Sequence, residues 1–576
     1  MTGSDSPGRE RHPAAGTTVP AATASPTRAM APAAGPAAGA IATEAATPGS
    51  AGAERGAGAE RGAGATSASA TPAGSRASLG WLAVAVPMLG ELLVGGYRIA
   101  GPSLWRDEGA TISGAGRSYG AIFALIQHED AVHAPYYLLL HPIIAAFGIS
   151  ETVLRLPSLL ATCLAVGLTA ALGRRLAVAS AWPAPAATGA LAGLVLVAVP
   201  LTTRYAQEAR PYALATLAAV LASYLLLRAV AGARWIWWLS YGAALLLTGW
   251  FNLFALPLLA LAHGVSLAIA SERAAAWRWL AACAGAGVLV SPLAVLSARQ
   301  AGQIGWVTQP GPSAVASLIR DFAGSTPLIV VVAGLALAAM VSGRGSPGAG
   351  RLTLPALALP WLILPPVLLI GISLVRPVYV ERYVVFCLPA LSLLVAAGLT
   401  GLPGLIRQRG WLDRIWPGRR SVVTVAPSFL LGVIMAAALT GPQVAIRQAT
   451  ARPDDLRAVA AVLASRERHG DAIVYLPWGT RLVAMAYPGP FDRLDDIELA
   501  RSPVAAADLR GAQVSPGLLA ARLSGARRVW TVRWAQPPHG ASFDRTDRAA
   551  AVAVSGMRPI GSWKVGSVIL SLYSVR

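Results

Sequence analysis

Between residues 80 and 440 the chain alternates long apolar runs with short polar connectors. The run Leu245–Ala270 alone exceeds the roughly 18 apolar residues that mark a membrane-crossing helix. The pattern predicts eleven spans, near 80–100, 152–173, 184–203, 211–230, 235–251, 253–271, 277–297, 326–342, 354–375, 383–401 and 421–440. The two spans across 235–271 are split at Trp250-Phe251-Asn252. From residue 452 the rhythm changes. PDDLRAVAAVLASR has helical spacing with an acidic start, DAIVYLP and ARRVWTVRW read as buried strands, DRTDRAAAVAVSG as a helix and SVILSLYSV as a closing strand. Helices alternating with strands imply a small, partly parallel sheet ending in a hairpin.

The predicted organisation is therefore a polytopic α-helical membrane protein with a small C-terminal α/β domain outside the membrane. A tail over 1–78, rich in Ala, Gly, Pro, Ser and Thr, buries nothing and is expected to be disordered and cytoplasmic. A transmembrane domain covers 79–451, with an extracytoplasmic loop at 101–151, and the soluble domain covers 452–576.

Charge sets the orientation. The net charge of +20 comes largely from arginines in short connectors, which is a membrane-topology signature and not a nucleic-acid footprint. With the N-terminus inside, the inner connectors hold Arg174 and Arg175; Arg228 and Arg234; Arg273 and Arg278; Arg344 and Arg351; then Arg407, Arg409, Arg414, Arg419 and Arg420. Their acids are Glu272 and Asp413. The outer connectors hold Asp107, Glu108, Glu129, Asp130, Glu208, Asp321 and Glu381. Cys163, Cys283 and Cys387 all fall in apolar runs and read as small buried hydrophobes, with no disulfide or metal spacing.

Carboxylates and imidazoles set between hydrophobic spans are costly, so the stretch from Leu104 to His141 is the candidate active site. Asp107 and Glu108 adjoin on one turn, about 100° apart on a helix, which implies different tasks. A carboxylate at the mouth of a membrane cavity can take a proton from a hydroxyl; the alternative is a loop carboxylate merely paired with Arg106 beside it. His128-Glu129-Asp130-Ala131-Val132-His133-Ala134-Pro135-Tyr136-Tyr137 follows. Its spacing is not that of a zinc helix, and Asp130 and His133 are read as contacts to sugar hydroxyls or a phosphate. Pro135 is expected to start a helix carrying Tyr136, Tyr137 and His141, the last a hydrogen-bonded core histidine. Arg204, Tyr205, Glu208, Arg210 and Tyr212 form a third cluster, and Glu381, Arg382 and Tyr383 a fourth; paired guanidiniums suit a phosphate. Interfacial anchoring and snorkelling are the alternatives for these arginines. Carboxylates near a sugar and arginines near a phosphate fit glycosyl transfer from a lipid-linked phosphosugar, by direct displacement and with inversion.

Here the residues resemble a known family. WRDE at 105–108 is similar to the Asp-Glu motif of GT-C glycosyltransferases of the family 39 type, the group of protein O-mannosyltransferases, the lipid A aminoarabinose transferase and the RgtA/B/C/D-like bacterial proteins. HEDAVHAPYYLLLH looks like their His/Asp–Pro–Pro–Leu–Tyr–Tyr segment, with His133-Ala134-Pro135 in place of Pro-Pro. ETVLRLPSLLA, RYAQEARPYAL and ERYVVFCLPAL match further segments in order, across residues 80–400. The resemblance implies a membrane enzyme using a polyprenyl-phosphate sugar, mannose-like or a pentose. By it Asp107 is the base and Glu108 its partner, Asp130, His133 and Tyr136 lie in the donor/acceptor cleft, and Arg204, Glu208, Arg210, Arg382 and Tyr383 lie near the phosphate. It implies a lipid bilayer, a lipid-linked donor and a glycan, lipid or protein acceptor as partners, at the plasma membrane. No cofactor is called for, and a divalent metal stays open. The competing readings are a transporter or flippase of lipid-linked sugars, a sensor with an outer domain, and an acyltransferase using His133.

Overall fold

Apolar side chains dominate the long helices of the computed structural model, and on some of these helices they face outward. It describes residues 80–575 except 183, 233, 343–351, 409–419 and 537–542. The tail over 1–78 and the connector residues Arg344, Arg351, Arg409, Asp413, Arg414 and Arg419 lie outside the described residues. Helix Arg273–Arg299 shows the solvent it needs: mean hydropathy is 2.0 over its apolar window, yet only 11% of that window is buried. Trp277, Leu280, Val288 and Leu289 stand exposed along it. A surface of this kind is stable against lipid and not against water.

Among the described residues five helices are long and apolar enough to cross a membrane: Glu151–Ala179, Tyr212–Gly232, Arg273–Arg299, Leu354–Ser373 and Glu381–Leu405. Two bent pairs raise the number to seven if each counts as one span. Eleven were expected from the apolar runs. The difference has local causes. Leu82–Gly96 and Ala255–Ile269 reach only 15 residues each. The expected span at 184–203 is Pro185–Ala198 followed, across a 70° bend, by Pro200–Ala206; Pro200 cannot donate to the preceding turn and redirects the chain. The expected break after Phe251 is present, with Asn252 ending helix Trp235–Phe251 in extended backbone. The three cysteines are free.

The C-terminal residues form a five-stranded sheet. Its strands are β1 (Ala472–Leu476), β2 (Asp495–Asp496), β5 (Arg528–Trp534), β6 (Arg558–Val565) and β7 (Val568–Ser574), in the order β2-β1-β5-β7-β6. A separate pair joins β3 (Leu499–Arg501) to β4 (Ala512–Gln513). β1 runs parallel to β2 and β5, while β5/β7 and β6/β7 are antiparallel, the last a hairpin. The partly parallel sheet with a terminal hairpin was legible from the strand pattern. Every residue of β1 is buried because both faces are covered. One face carries Val474 and Val529 against Leu519, Leu523 and Val554 of the two helices behind.

The other face does not stop at the domain boundary. Ile473, Tyr475, Trp530 and Leu570 share one core with Leu104, Ile112, Leu125, Tyr137 and Leu140 of the 101–151 loop. Helix Arg106–Ala115 lies so close to helix Leu482–Ala486 that a Cβ on Gly109 would sit 2.6 Å from the Leu482 carbonyl oxygen, an approach only glycine permits. Loop and sheet are therefore one packed body over the membrane bundle.

Candidate active site

Trp105 is extended and Arg106 opens a helix whose first turn holds Asp107 and Glu108, where the helix dipole favours carboxylates. The two side chains diverge as their spacing requires. Glu108 is fully buried: Arg155 donates to it from Nε at 2.9 Å and Nη2 at 2.8 Å, and the Ala209 amide donates at 2.9 Å. Burial alone would raise this carboxyl, but the Arg155 guanidinium outweighs burial and holds it below its usual value. Asp107 turns away from that pair and keeps 21% of its side chain exposed. Its charge partner is Arg382, with Nη2 3.6 Å from Oδ2, at ion-pair range and beyond a hydrogen bond.

Arg106 is not the partner of Asp107. Its Nε and Nη2 clasp Asp454 at 2.8 and 2.7 Å, and its guanidinium stacks 3.8 Å from the Trp534 ring centroid. The motif's arginine ties the loop to the C-terminal domain and leaves the neighbouring aspartate free.

Arg382 enters from the segment Glu381–Cys387. Its guanidinium sits among three aromatic rings, 5.4 Å from Trp306, 5.9 Å from Tyr383 and 6.0 Å from Tyr212, so its charge is held in place by ring faces. Tyr383 is itself packed on Phe254 at 5.5 Å.

Arg210 approaches from the other side. Its Nη1 donates to the Asp107 carbonyl and to Thr111 Oγ1, each at 3.3 Å, and its Nη2 donates to His133 Nε2 at 2.7 Å. Nε2 therefore accepts, which places the imidazole proton on Nδ1, 2.7 Å from Asp130 Oδ1. The Tyr137 hydroxyl donates to the other Asp130 oxygen. Burial, helped by Arg210, pushes His133 below its usual value and keeps the ring neutral. For Asp130 burial works upward, but His133, Arg210 and Tyr137 together hold the carboxyl well below the usual range. Asp130 has the left-handed φ of 59°, rare outside glycine. The strained turn is held from outside: Gln303 Oε1 accepts from its amide at 3.1 Å and Gln300 Oε1 from the next at 2.9 Å.

Arg204, in Pro200–Ala206, lies 5.9 Å from the Tyr205 ring and pairs with no carboxylate within 4 Å among the described residues. Glu208 is buried with one oxygen unpartnered, and Arg452 beside it leaves Nε and Nη1 unpartnered. Arg210 Nε and Arg382 Nε are likewise buried donors with no acceptor among the described residues. Four orphaned guanidinium nitrogens in one quarter of the molecule are an unmet demand for acceptor oxygens.

No protein-family model and no curated protein matches the sequence. By structure the chain is similar to ArnT from Cupriavidus metallidurans in the apo state, with TM-score 0.55 and 15% identity over 86% of this chain and 98% of that one. It is also similar to ArnT from the same organism bound to undecaprenyl phosphate, with TM-score 0.53 and 16% identity over the same shares. The fold is ArnT-like.

Asp107, Arg210 and Arg382 stand together as the sequence led one to expect. The remaining candidates take other places. Glu108 and Tyr136 are sealed from solvent, so neither reaches a substrate from this conformation. Asp130 and His133 spend their polar atoms on Tyr137 and Arg210; they position Arg210 and do not offer free contacts to a sugar. Both imidazole nitrogens being engaged also removes His133 as an acyl-transfer base. His141 is hydrogen-bonded as expected, Nδ1 3.1 Å from the Ala115 carbonyl oxygen, but it is half-buried and not a core residue. Among the described residues no three His, Cys, Asp or Glu side chains gather as a metal site.

Sequence reasoning missed Arg155, Trp306, Gln300, Gln303 and Arg452. A buried arginine one turn into an apolar helix, opposite an Asp-Glu pair, was a usable sign for Arg155. Gln300 and Gln303, one turn apart after a span, were another. Trp306 is one of 17 tryptophans, and nothing in its neighbours marks it.

Proposed function

We propose that this protein is a membrane glycosyltransferase that moves a sugar, mannose-like or a pentose, from a polyprenyl-phosphate donor to an extracytoplasmic acceptor, inverting the anomeric centre. The observation that carries the proposal is a lone, partly open carboxylate, Asp107, set against two arginines with unfilled donors, Arg210 and Arg382. Asp107 takes the proton from the acceptor hydroxyl. The new C–O bond forms at the anomeric carbon as the bond to phosphate breaks, and the lipid phosphate leaves as an anion. Arg382, Arg204 and Arg210 stabilise that charge as it develops, in a site where water is scarce. Tyr212, Tyr383 and Trp306 hold the Arg382 guanidinium so that little reorganisation accompanies the step. Glu108 contributes from below by fixing, with Arg155, the helix that aims Asp107.

The undecaprenyl phosphate bound by ArnT is a lipid of the class proposed here. The basic inner connectors support an N-terminus in the cytoplasm and the C-terminal sheet outside, in a plasma membrane. The packing of the sheet on the loop supports a domain role as a rigid brace for Asp107. The test is reconstitution of the full chain in nanodiscs with a panel of radiolabelled polyprenyl-phosphate sugars and outer-envelope acceptors. Release of polyprenyl phosphate with an inverted glycoside, read by NMR, supports the reading. Movement of the intact donor across the bilayer without bond cleavage would make the protein a flippase and overturn it.

A further inference from the structure

We propose that a second lipid site lies at the opposite membrane face, and that its ligand is an anionic phospholipid. A groove of about 740 Å³ opens between helices Leu82–Gly96, Glu151–Ala179 and Tyr212–Gly232, closed at one end by Trp237. Three arginines converge on it: Arg174, Arg175 and Arg228. None pairs with a carboxylate within 4 Å among the described residues. Arg175 lies 5.2 Å from the Tyr224 ring centroid and Arg228 4.5 Å from that of Trp237, so two of the three guanidiniums are held by aromatic faces. Arg174 makes a single bond, to the Gly80 carbonyl at 3.3 Å. The floor is apolar, formed by Ala171, Val178 and Leu227.

Chain direction gives the depth. Helix Glu151–Ala179 holds Glu108 through Arg155 near its start and reaches the groove at Arg174. At 1.5 Å per residue the separation along the helix is about 28 Å. The hydrocarbon core is about 30 Å thick. The groove therefore sits at head-group level in the leaflet away from the catalytic loop, where a basic pocket between spans meets acidic lipid head groups.

The chemistry is that of a phosphodiester with acyl chains. Three uncompensated guanidiniums offer paired donors to phosphate oxygens. The floor has no use for a free phosphate, but it accepts chains that continue into the bilayer. A second groove, of about 720 Å³ and lined by Tyr97, Gln443 and Arg447, lacks this character. There the Arg447 guanidinium already donates to Val94, Tyr97 and Gln443 oxygens.

The test uses the full chain, freed of native lipid, with dioleoyl-phosphatidylglycerol or dioleoyl-phosphatidylcholine added and retention read by native mass spectrometry. The wild type should keep phosphatidylglycerol and shed phosphatidylcholine. Arg174→Gln/Arg175→Gln/Arg228→Gln should lower phosphatidylglycerol retention about tenfold or more, from the loss of charged hydrogen bonds. Arg447→Gln should leave retention unchanged. Should the triple variant not fold, the exposed Arg174→Gln alone should still lower retention measurably. Equal retention of both lipids by the wild type, unchanged retention in the variants, or displacement of the lipid by millimolar inorganic phosphate would overturn the proposal.

Discussion

Two faces of one short helix carry adjacent carboxylates and treat them in opposite ways. On one, Glu108 is sealed and receives three hydrogen bonds. On the other, Asp107 meets Arg382 at 3.6 Å, with Arg210 near by, and its side chain stays 21% exposed. The difference teaches how the proposed transferase can keep a reactive carboxylate available. The buried face supplies rigidity, so the reactive face is free of the contacts that rigidity needs. A carboxylate that receives three hydrogen bonds has its lone pairs committed; one that receives none keeps them for a substrate hydroxyl.

The sharpest way to break the comparison is to exchange the two losses. Asp107→Asn should lower sugar transfer by about 10²–10⁴-fold, the usual contribution of a general base, with a melting temperature close to wild type. Arg155→Met should do the reverse. Removing one partner of a buried ion pair costs about 3–5 kcal/mol, so the protein should lose thermal stability first and activity with it. The double variant Glu108→Gln/Arg155→Met should recover part of that stability, because no unpaired charge is left inside. An Asp107→Asn protein with full turnover, measured by release of polyprenyl phosphate, would remove the base from the mechanism.

The arginine side of the site gives smaller effects. Arg382→Gln should raise the donor KM by about 10-fold or more, the order of a charged hydrogen bond, while the acceptor KM changes little. Arg382→Lys should restore only part of it, because an ammonium lacks the planar fork that stacks between Trp306, Tyr383 and Tyr212. His133→Gln tests positioning. Gln can still donate toward Asp130 but cannot hold Arg210 Nη2 in the same geometry, so kcat should fall by roughly 10-fold, for about 1.4 kcal/mol, without acquiring a new pH dependence. A His133 acting as base would instead remove a pH-rate limb when replaced.

Much of this was legible, and the part that was not has a physical reason. Apolar runs and one-sided arginines gave the membrane class because lipid imposes long, uniform constraints on sequence. The β1, β5 and β7 strands were legible because both faces of the sheet are buried, so their residues are uniformly apolar. Asp107 and Arg382 could be named because charge is rare beside spans. What stayed hidden is the pairing of charges across hundreds of residues. Arg106 stands next to Asp107 in sequence, yet its partner is Asp454. Asp130 and His133 looked free because nothing local reveals Arg210, and Tyr137, seven residues after Asp130, was read only as part of the following helix. Apolar runs record burial as well as membrane crossing: Glu381–Leu405 is 94% buried over its apolar window, while Arg273–Arg299 is 11% buried over its own.

The smallest expected effect sharpens the role of the outer domain. Glu129 accepts from the Leu509 amide at 3.0 Å and pairs with Arg510, one of several contacts that, like Arg106–Asp454, join the loop to the sheet domain. Burial raises its carboxyl to about 7, with Asp508 adding to the shift and Arg510 opposing it. The folded chain thus keeps a proton on Glu129 between about pH 4.5 and 7 that an unfolded chain has already released. A group of this sign contributes stability that is complete below the unfolded value and declines as pH rises through the folded one. Glu129→Gln should therefore flatten the fall in melting temperature from pH 5 to 7, with little change in transfer rate. If the slope survives the substitution, another group titrates there, and the Glu129 contact is not what couples loop and sheet to pH.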